Sequence, residues 1–313
     1  MKYLLRRLGY LLVVLFAVTF LVSVMMDFIP GEPAYVIIGE NATPAQIAQV
    51  HKELRLDDPV VTKYVRWVGN ALHGDFGRSF RGNQPISKQL KQRLPVTLEL
   101  VILSQVVALG FAFIMASYGS YKPKGVVDGG ATFLSFGMIS TPQFVLALVL
   151  MYIFGVKLHW FPVSNFTHIT KSLSGNLKSV ALPVLAISAD PAGVYQRVLR
   201  SDMGRTLRED YITMAQAKGL SPGRILVRHG LRPSLFSTTT LAGITTARLI
   251  GGSVIIETIF SLPGIGQMLI QAINGHDYIA VQAVVGVVAV GYVVINTLVD
   301  LLYGVLDPRV LAK

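Results

Sequence analysis

The chain has 313 residues, 52% of them hydrophobic and only 14% charged, with a formal net charge of +11 and a mean hydropathy of +0.55. That balance excludes an ordinary water-soluble domain and describes a chain that lives in a bilayer. Zero cysteines exclude disulfides and thiolate metal sites, and no basic–aromatic module accompanies the positive charge, which is read as topology and lipid head-group attraction rather than nucleic-acid binding.

The chain opens on Met1-Lys2-Tyr3-Leu4-Leu5-Arg6-Arg7, followed by an uncharged run over 8–26. A signal peptide has the same beginning, but the apolar run is long and no small-residue cleavage site precedes Asp27, so it is read as a retained anchor. Further runs free of Asp, Glu, Lys and Arg cover 100–121 (22 residues), 129–156 (28) and 278–299 (22), each long enough to cross a hydrocarbon core of about 30 Å. Two more spans carry charge: 179–199 holds Asp190 and Arg197, and 233–256 holds Arg248. The count is six transmembrane helices in an all-α membrane protein. Pro142 interrupts the third span, where 28 residues exceed one straight crossing, and predicts a kink or a re-entry.

Lysine and arginine orient these spans. Segment 200–232 carries seven of them, whereas 249–308 carries none, so the first is cytoplasmic, the loop after the fifth helix is outside, and both termini are cytoplasmic. The region 29–95 then lies outside despite its basic residues, because loops longer than about 60 residues escape the charge rule. Ser79 and Asn83 are expected to be accessible there. The division is therefore 1–28, a cytoplasmic N-terminus and first span; 29–95, an extracytoplasmic loop region; and 96–313, a five-helix core with a cytoplasmic loop at 200–232.

Within that loop, Asp210-Tyr211-Ile212-Thr213-Met214-Ala215-Gln216-Ala217-Lys218-Gly219-Leu220-Ser221-Pro222 predicts a helix, a turn and a second helix. Leu207, Tyr211, Met214 and Ala215 recur at helical spacing as an apolar stripe, with Arg208, Glu209 and Lys218 in water. Gly219 supplies the positive φ that stops the helix; Ser221 is placed to cap the next one and Pro222 fits its first position. That second helix is expected to run through Arg224, Ile225, Leu226 and Arg228 toward Pro233. The segment reads either as a handle for a partner protein or as a basic loop that only orients the spans.

Catalytic chemistry is absent from the pattern. No Gly-Lys dipeptide occurs, so there is no nucleotide-hydrolysing phosphate loop; the six histidines lack metal-ligand spacing; and no serine sits in a Gly-x-Ser-x-Gly elbow. The chain is expected not to be an enzyme by itself, and to hold no cofactor or metal. What remains are ionisable residues inside spans. Burying a charge mid-helix costs about 2.5–3.5 kcal/mol, so Arg248 and Asp190 either line a watery path or snorkel to an interface.

The loop around Gly219 resembles the signature of membrane subunits of binding-protein-dependent ABC importers: Glu-Ala-Ala, three residues, Gly, nine residues, Ile-x-Leu-Pro. Here Thr213 replaces the Glu, His229 the Ile, and the proline comes one place late, at Pro233. Pro30-Gly31-Glu32-Pro33, Leu56-Asp57-Asp58-Pro59, Gly74-Asp75-Phe76-Gly77-Arg78-Ser79-Phe80, Leu94-Pro95-Val96-Thr97-Leu98-Glu99, Glu257-Thr258-Ile259-Phe260-Ser261-Leu262-Pro263-Gly264-Ile265-Gly266 and Asp307-Pro308-Arg309 are similar to blocks of the first permease of dipeptide/oligopeptide systems. The resemblance implies the type I importer permease fold in a bacterial cytoplasmic membrane. It also implies a second related permease, two ABC ATPases that hold ATP and Mg, and an external substrate-binding protein. Tyr211, Met214, Ala215, Ala217, Lys218, Gly219, Leu220 and Ser221 would couple to an ATPase. Arg248, Asp190, Glu257 and Phe260 are the candidates for substrate path or gate. The same family also imports nickel chelates, glutathione and other small solutes; a secondary transporter or a channel stands as a more distant reading, although neither an inverted repeat nor paired broken helices are present.

Overall fold

The computed structural model describes residues 2–28, 35, 43–55, 57–80 and 82–306, and every regular element among them but one isolated bridge is helical. The blocks at 30–33 and 307–309, and Leu56, lie outside the described residues. In chain order the helices are α1 (Lys2–Asp27), α2 (Pro44–Leu54), α3 (Val60–Leu72), α4 (Ile86–Tyr121), α5 (Val126–Ser140), α6 (Gln143–Leu150), α7 (Leu173–Thr206), α8 (Asp210–Ala217), α9 (Pro222–Ile259), α10 (Ile265–Asn274) and α11 (Tyr278–Leu306).

Four of them are long and apolar enough to cross a membrane: α4, α7, α9 and, over Tyr278–Val299, α11. The pair α5–α6 makes a fifth crossing if taken as one span, and Gly9–Met25 is a shorter apolar stretch within α1. Each of the six expected spans thus falls on helix. The third is broken as Pro142 predicts, by 107° between α5 and α6. Thr141, the residue before that proline, is extended (φ −96°, ψ 121°), as steric conflict with the proline ring demands. Beyond α6 the helix widens into π turns over Met151–Lys157.

Two structural units divide the chain, one made of 1–97 and 263–294, the other of 98–262 and 295–313. In the first, the described part of the expected loop region 29–95 is largely helical: α2, α3 and the start of α4 lie in it. The expected boundary at residue 95 falls inside α4, which runs straight through Pro95. Thr43 closes a capping box with Gln46 to start α2. Tyr64 on α3 donates to the carbonyl of Phe16 (3.0 Å) and shares a 2.8 Å hydrogen bond with Thr19, which seats α3 on α1. Asp277 caps α11 by accepting from the amide of Ala280 (3.2 Å), and its other oxygen accepts from the amide of Phe80 (3.1 Å) and the hydroxyl of Ser79. Ser79 is therefore buried, contrary to its expected accessibility, while Asn83 at the neighbouring turn is exposed.

In the second unit α7 is the innermost span. Two-thirds of its most apolar window, 67%, is buried, against 39% or less for the other long helices. Small residues make that close packing attainable. Ala192 and Tyr195 of α7 meet Ala108 and Ala112 of α4 and Ala242 of α9, and Leu199 and Met203 continue the contact with Ala116. A Cβ on Gly193 would lie 2.7 Å from the carbonyl oxygen of Ser135 on α5, so only glycine permits this approach. A buried clasp locks the same layer: the Tyr195 hydroxyl donates to Gln105 Oε1 (3.0 Å), and Gln105 Nε2 donates to the Ala242 carbonyl (3.0 Å) and Thr246 Oγ1 (2.7 Å).

Candidate functional site

The segment between α7 and α9 folds much as its residue types dictate. Glu209 takes the extended cap conformation and Asp210 puts a carboxylate in the first turn of α8, where it meets the positive end of the helix dipole. At the other end Gly219 sits at φ +74°. The amide of Leu220 donates to the carbonyl of Ala215 (3.3 Å) and that of Gly219 to Gln216 (2.9 Å), the paired bonds of a Schellman turn. Ser221 then starts α9 through its backbone alone: its carbonyl accepts from Ile225 (3.0 Å), and the expected side-chain cap is not made. Pro222 occupies the first helical position, as expected.

The expected second short helix and the fifth span are one continuous helix of 38 residues. Over Ile225–Leu231 it is π-helical, and Pro233 follows directly without ending it. A π turn holds one more residue than an α turn, and Pro233, which has no N–H to donate, stands two residues after this π segment.

The apolar stripe divides into two faces. Ile212 and Ala215, 2% and 6% exposed, pack with Ile225 of α9, and Leu207 and Leu220 close over them. Leu207 is the last residue of the α7 turn rather than part of α8, so its spacing to Tyr211 and Met214 carries no helical register. Tyr211 and Met214 instead face outward, 43% and 59% exposed, with the Tyr211 hydroxyl donating to the carbonyl of His229 (3.1 Å). Ala217, Lys218, Gly219 and Ser221 are exposed on the same protrusion, and Leu220 is half-buried. The arrangement is a small anchored knob that offers an aromatic ring and a flexible thioether. Such side chains suit a protein interface.

An ion pair that sequence reasoning missed ties the end of α7, which leads into this knob, to α5. Arg200 Nε and Nη2 donate to the two oxygens of Asp128 at 2.9 and 3.0 Å, and the amide of Lys124 donates to Asp128 Oδ2 (2.9 Å). The bidentate fork is the geometry that suits arginine. Beside it opens a cleft of about 690 Å³, lined in part by Phe136, Gln196, Arg197, Arg205 and Arg208. The Arg197 guanidinium stacks 4.3 Å above the ring of Phe136. No spacing rule connects residues 72 positions apart, so only the tertiary structure reveals this pair.

The four path candidates occupy different surroundings. Arg248 is exposed on α9 and Asp190 half-buried on α7. Glu257 is fully buried, accepting at Oε1 from the Ser253 hydroxyl (3.0 Å), and Phe260 is 1% exposed. Glu257 and Phe260 are therefore interior residues of this unit.

Comparison with known proteins finds similarity over nearly the whole chain. Residues 108–312 match the binding-protein-dependent transport system inner membrane component family, and residues 1–101 match the N-terminal region of such membrane components. The putative peptide transport system permease protein of Brucella abortus is 37% identical over 306 residues, covering 98% of both chains. The oligopeptide transport system permease protein AppB of Bacillus subtilis is 34% identical over 98% of both, and the dipeptide transport system permease protein DppB of Alkalihalophilus pseudofirmus 33% over 99% of both. The chain belongs to the inner-membrane permease family of binding-protein-dependent transport systems, and is a multi-pass membrane protein with the all-α type I importer fold.

Proposed function

We propose that this permease imports peptides as part of an ABC assembly, with a second homologous permease, two ATPases and an extracytoplasmic binding protein as its partners. The single observation that carries the coupling role is the anchored knob at 207–225: a buried root of Ile212, Ala215 and Ile225 holding Tyr211 and Met214 outward. A loop serving only to orient spans needs positive charge but no such core. Peptides are favoured over nickel chelates or glutathione because relatives matching along nearly their full length carry peptide, dipeptide and oligopeptide transport in their names. With both termini in the cytoplasm, the knob faces the ATPases and the region 29–95 faces the binding protein. ATP and Mg belong to the ATPase subunits, and this chain supplies one wall of the passage. ATP-driven closure of the ATPase pair biases the spans only if the knob is gripped differently in the two states.

The test is cross-linking in native membranes, in a chain that has no cysteine of its own. A single Met214→Cys variant is expected to cross-link to an ABC ATPase at a yield that changes with ATP. A knob that captures no ATPase, or uptake of nickel chelate or glutathione in place of di- and oligopeptides, overturns the corresponding half of the reading.

A further inference from the structure

Tyr64 and Trp67 seat α3 on α1 and α11 at one level. The Tyr64 hydroxyl bonds to Phe16 and Thr19, and its ring meets that of Phe20 edge-on, with centroids 5.2 Å apart. Thr19 stands twelve residues after Arg7 and eight before Asp27, the charged residues that bound the apolar run of α1. At 1.5 Å per residue these bounds are about 18 and 12 Å away, so the contact lies inside a hydrocarbon layer of about 30 Å, not above it. Gly286 of α11 gives the same level independently. It is eight residues into the uncharged run 278–299, and a Cβ built on it would lie 3.0 Å from Cη2 of Trp67 and 3.8 Å from Cγ2 of Thr19.

Helical geometry divides the rest of α3 in two. At about 3.6 residues per turn, Val60 and Ala71 share the seated side with Tyr64 and Trp67, while Val61, Val65, Gly69 and Leu72 form a second stripe and Thr62, Lys63, Arg66 and Asn70 fill the remaining arc. The second stripe carries no hydrogen-bonding side chain, and Val61, Val65 and Leu72 are 59%, 64% and 79% exposed. Val13 and Leu21 on α1, within the apolar run, are exposed in the same way. We propose that α3 is an interfacial helix of the outer leaflet, with Val61, Val65 and Leu72 lying against lipid acyl chains. An apolar stripe beside a polar one is the pattern that such a helix needs, and the contacts with α1 and α11 supply the depth. The inference rests on the reading of α1 as a span and of 29–95 as extracytoplasmic. It withdraws α3 from the face offered to the binding protein and leaves the rest of that region to it.

The experiment uses the permease–ATPase assembly in phospholipid vesicles without ATP, its partner subunits freed of cysteine and a nitroxide label on single cysteines of this chain, which has none of its own. Collisions with oxygen, which dissolves in hydrocarbon, and with neutral nickel ethylenediaminediacetate, which stays in water, report what surrounds each label. Val61→Cys and Val65→Cys are expected to meet oxygen more often than the exposed Gln84→Cys does, and the nickel complex several-fold less often. Either position gives the readout if the other variant fails to assemble. Val13→Cys on α1 is the reference for a span. Nickel collisions at Val61 and Val65 equal to those at Gln84, with Val13 protected, put α3 in water and overturn the proposal while α1 stays a span. Protection of both positions from oxygen and nickel alike means that a neighbouring subunit covers the stripe, and overturns it too. Nickel access at Val13 overturns the reading of α1 as a span and this inference together.

Discussion

Arg200 closes two guanidinium nitrogens on the two carboxylate oxygens of Asp128, and so fastens the end of α7 to the first turn of α5. The side chains are 22% and 14% exposed, so the pair is neither a solvated surface bridge nor a sealed one. Asp128→Ala leaves a half-buried guanidinium without its partner and is expected to destabilise the chain by about 1–3 kcal/mol. Arg200→Lys keeps the charge but makes one bond where two existed, and costs less. Thermal unfolding of the detergent-solubilised protein, run as a double-mutant cycle, measures the coupling; additive single effects would show that the two residues act independently.

Gly219→Val tests the turn that ends α8. Nothing lies within 4 Å of a Cβ built at this glycine, so the penalty comes from the backbone, whose φ of +74° is costly for a β-branched residue. Uptake and substrate-stimulated ATPase activity are both expected to fall while the amount of permease in the membrane holds. Gly219→Asn, which tolerates positive φ, is expected to retain most activity. Wild-type rates in the valine variant would detach this turn from coupling.

The two faces of α8 respond differently to substitution. Ile212→Ala empties part of a buried cluster and is expected to cost about 2 kcal/mol or more, lowering the yield of folded protein. Met214→Glu, on the exposed face, is expected to leave yield and melting temperature within error but to abolish copurification with the ATPase. Similar stability losses in both variants would mean that Met214 contributes to folding rather than docking.

Sidedness is open to labelling with membrane-impermeant thiol reagents. Gln84→Cys is exposed beside the turn at Asn83 and is expected to react from the extracytoplasmic side, whereas Ser221→Cys reacts only after the cytoplasmic face is opened. Ser79→Cys is expected to react slowly from either side, because Ser79 is 8% exposed and bonded to Asp277. Reaction of Ser221→Cys in intact cells would invert the topology.

Features that depend on one residue's own backbone were legible before the structure. The positive φ at Gly219 and the break at Pro142 follow from sterics within a few residues, and four of the six expected spans follow from uncharged length. Legibility failed where a neighbour in space decides. Of the stripe Leu207, Tyr211, Met214 and Ala215, two members, Leu207 and Ala215, join Ile212 against Ile225 of α9, while Tyr211 and Met214 stay exposed; that division depends on α9, which spacing alone does not contain. Pro95 and Pro233 looked like boundaries and proved to lie within continuous helices, the second two residues after the π turns. Asp277 meets Ser79 across 198 residues, a pairing that no local rule contains.

The uninterrupted run from Pro222 to Ile259 has a mechanical consequence. At 1.5 Å per residue its 38 residues make a rod about 57 Å long, nearly twice the roughly 30 Å thickness of a hydrocarbon core. The knob hangs on one end of that rod, and Glu257 sits near the other. On the coupling role proposed above, a push on the knob enters this rod at Ile225, the first residue of its π-helical stretch Ile225–Leu231, with no loop between there and Ile259.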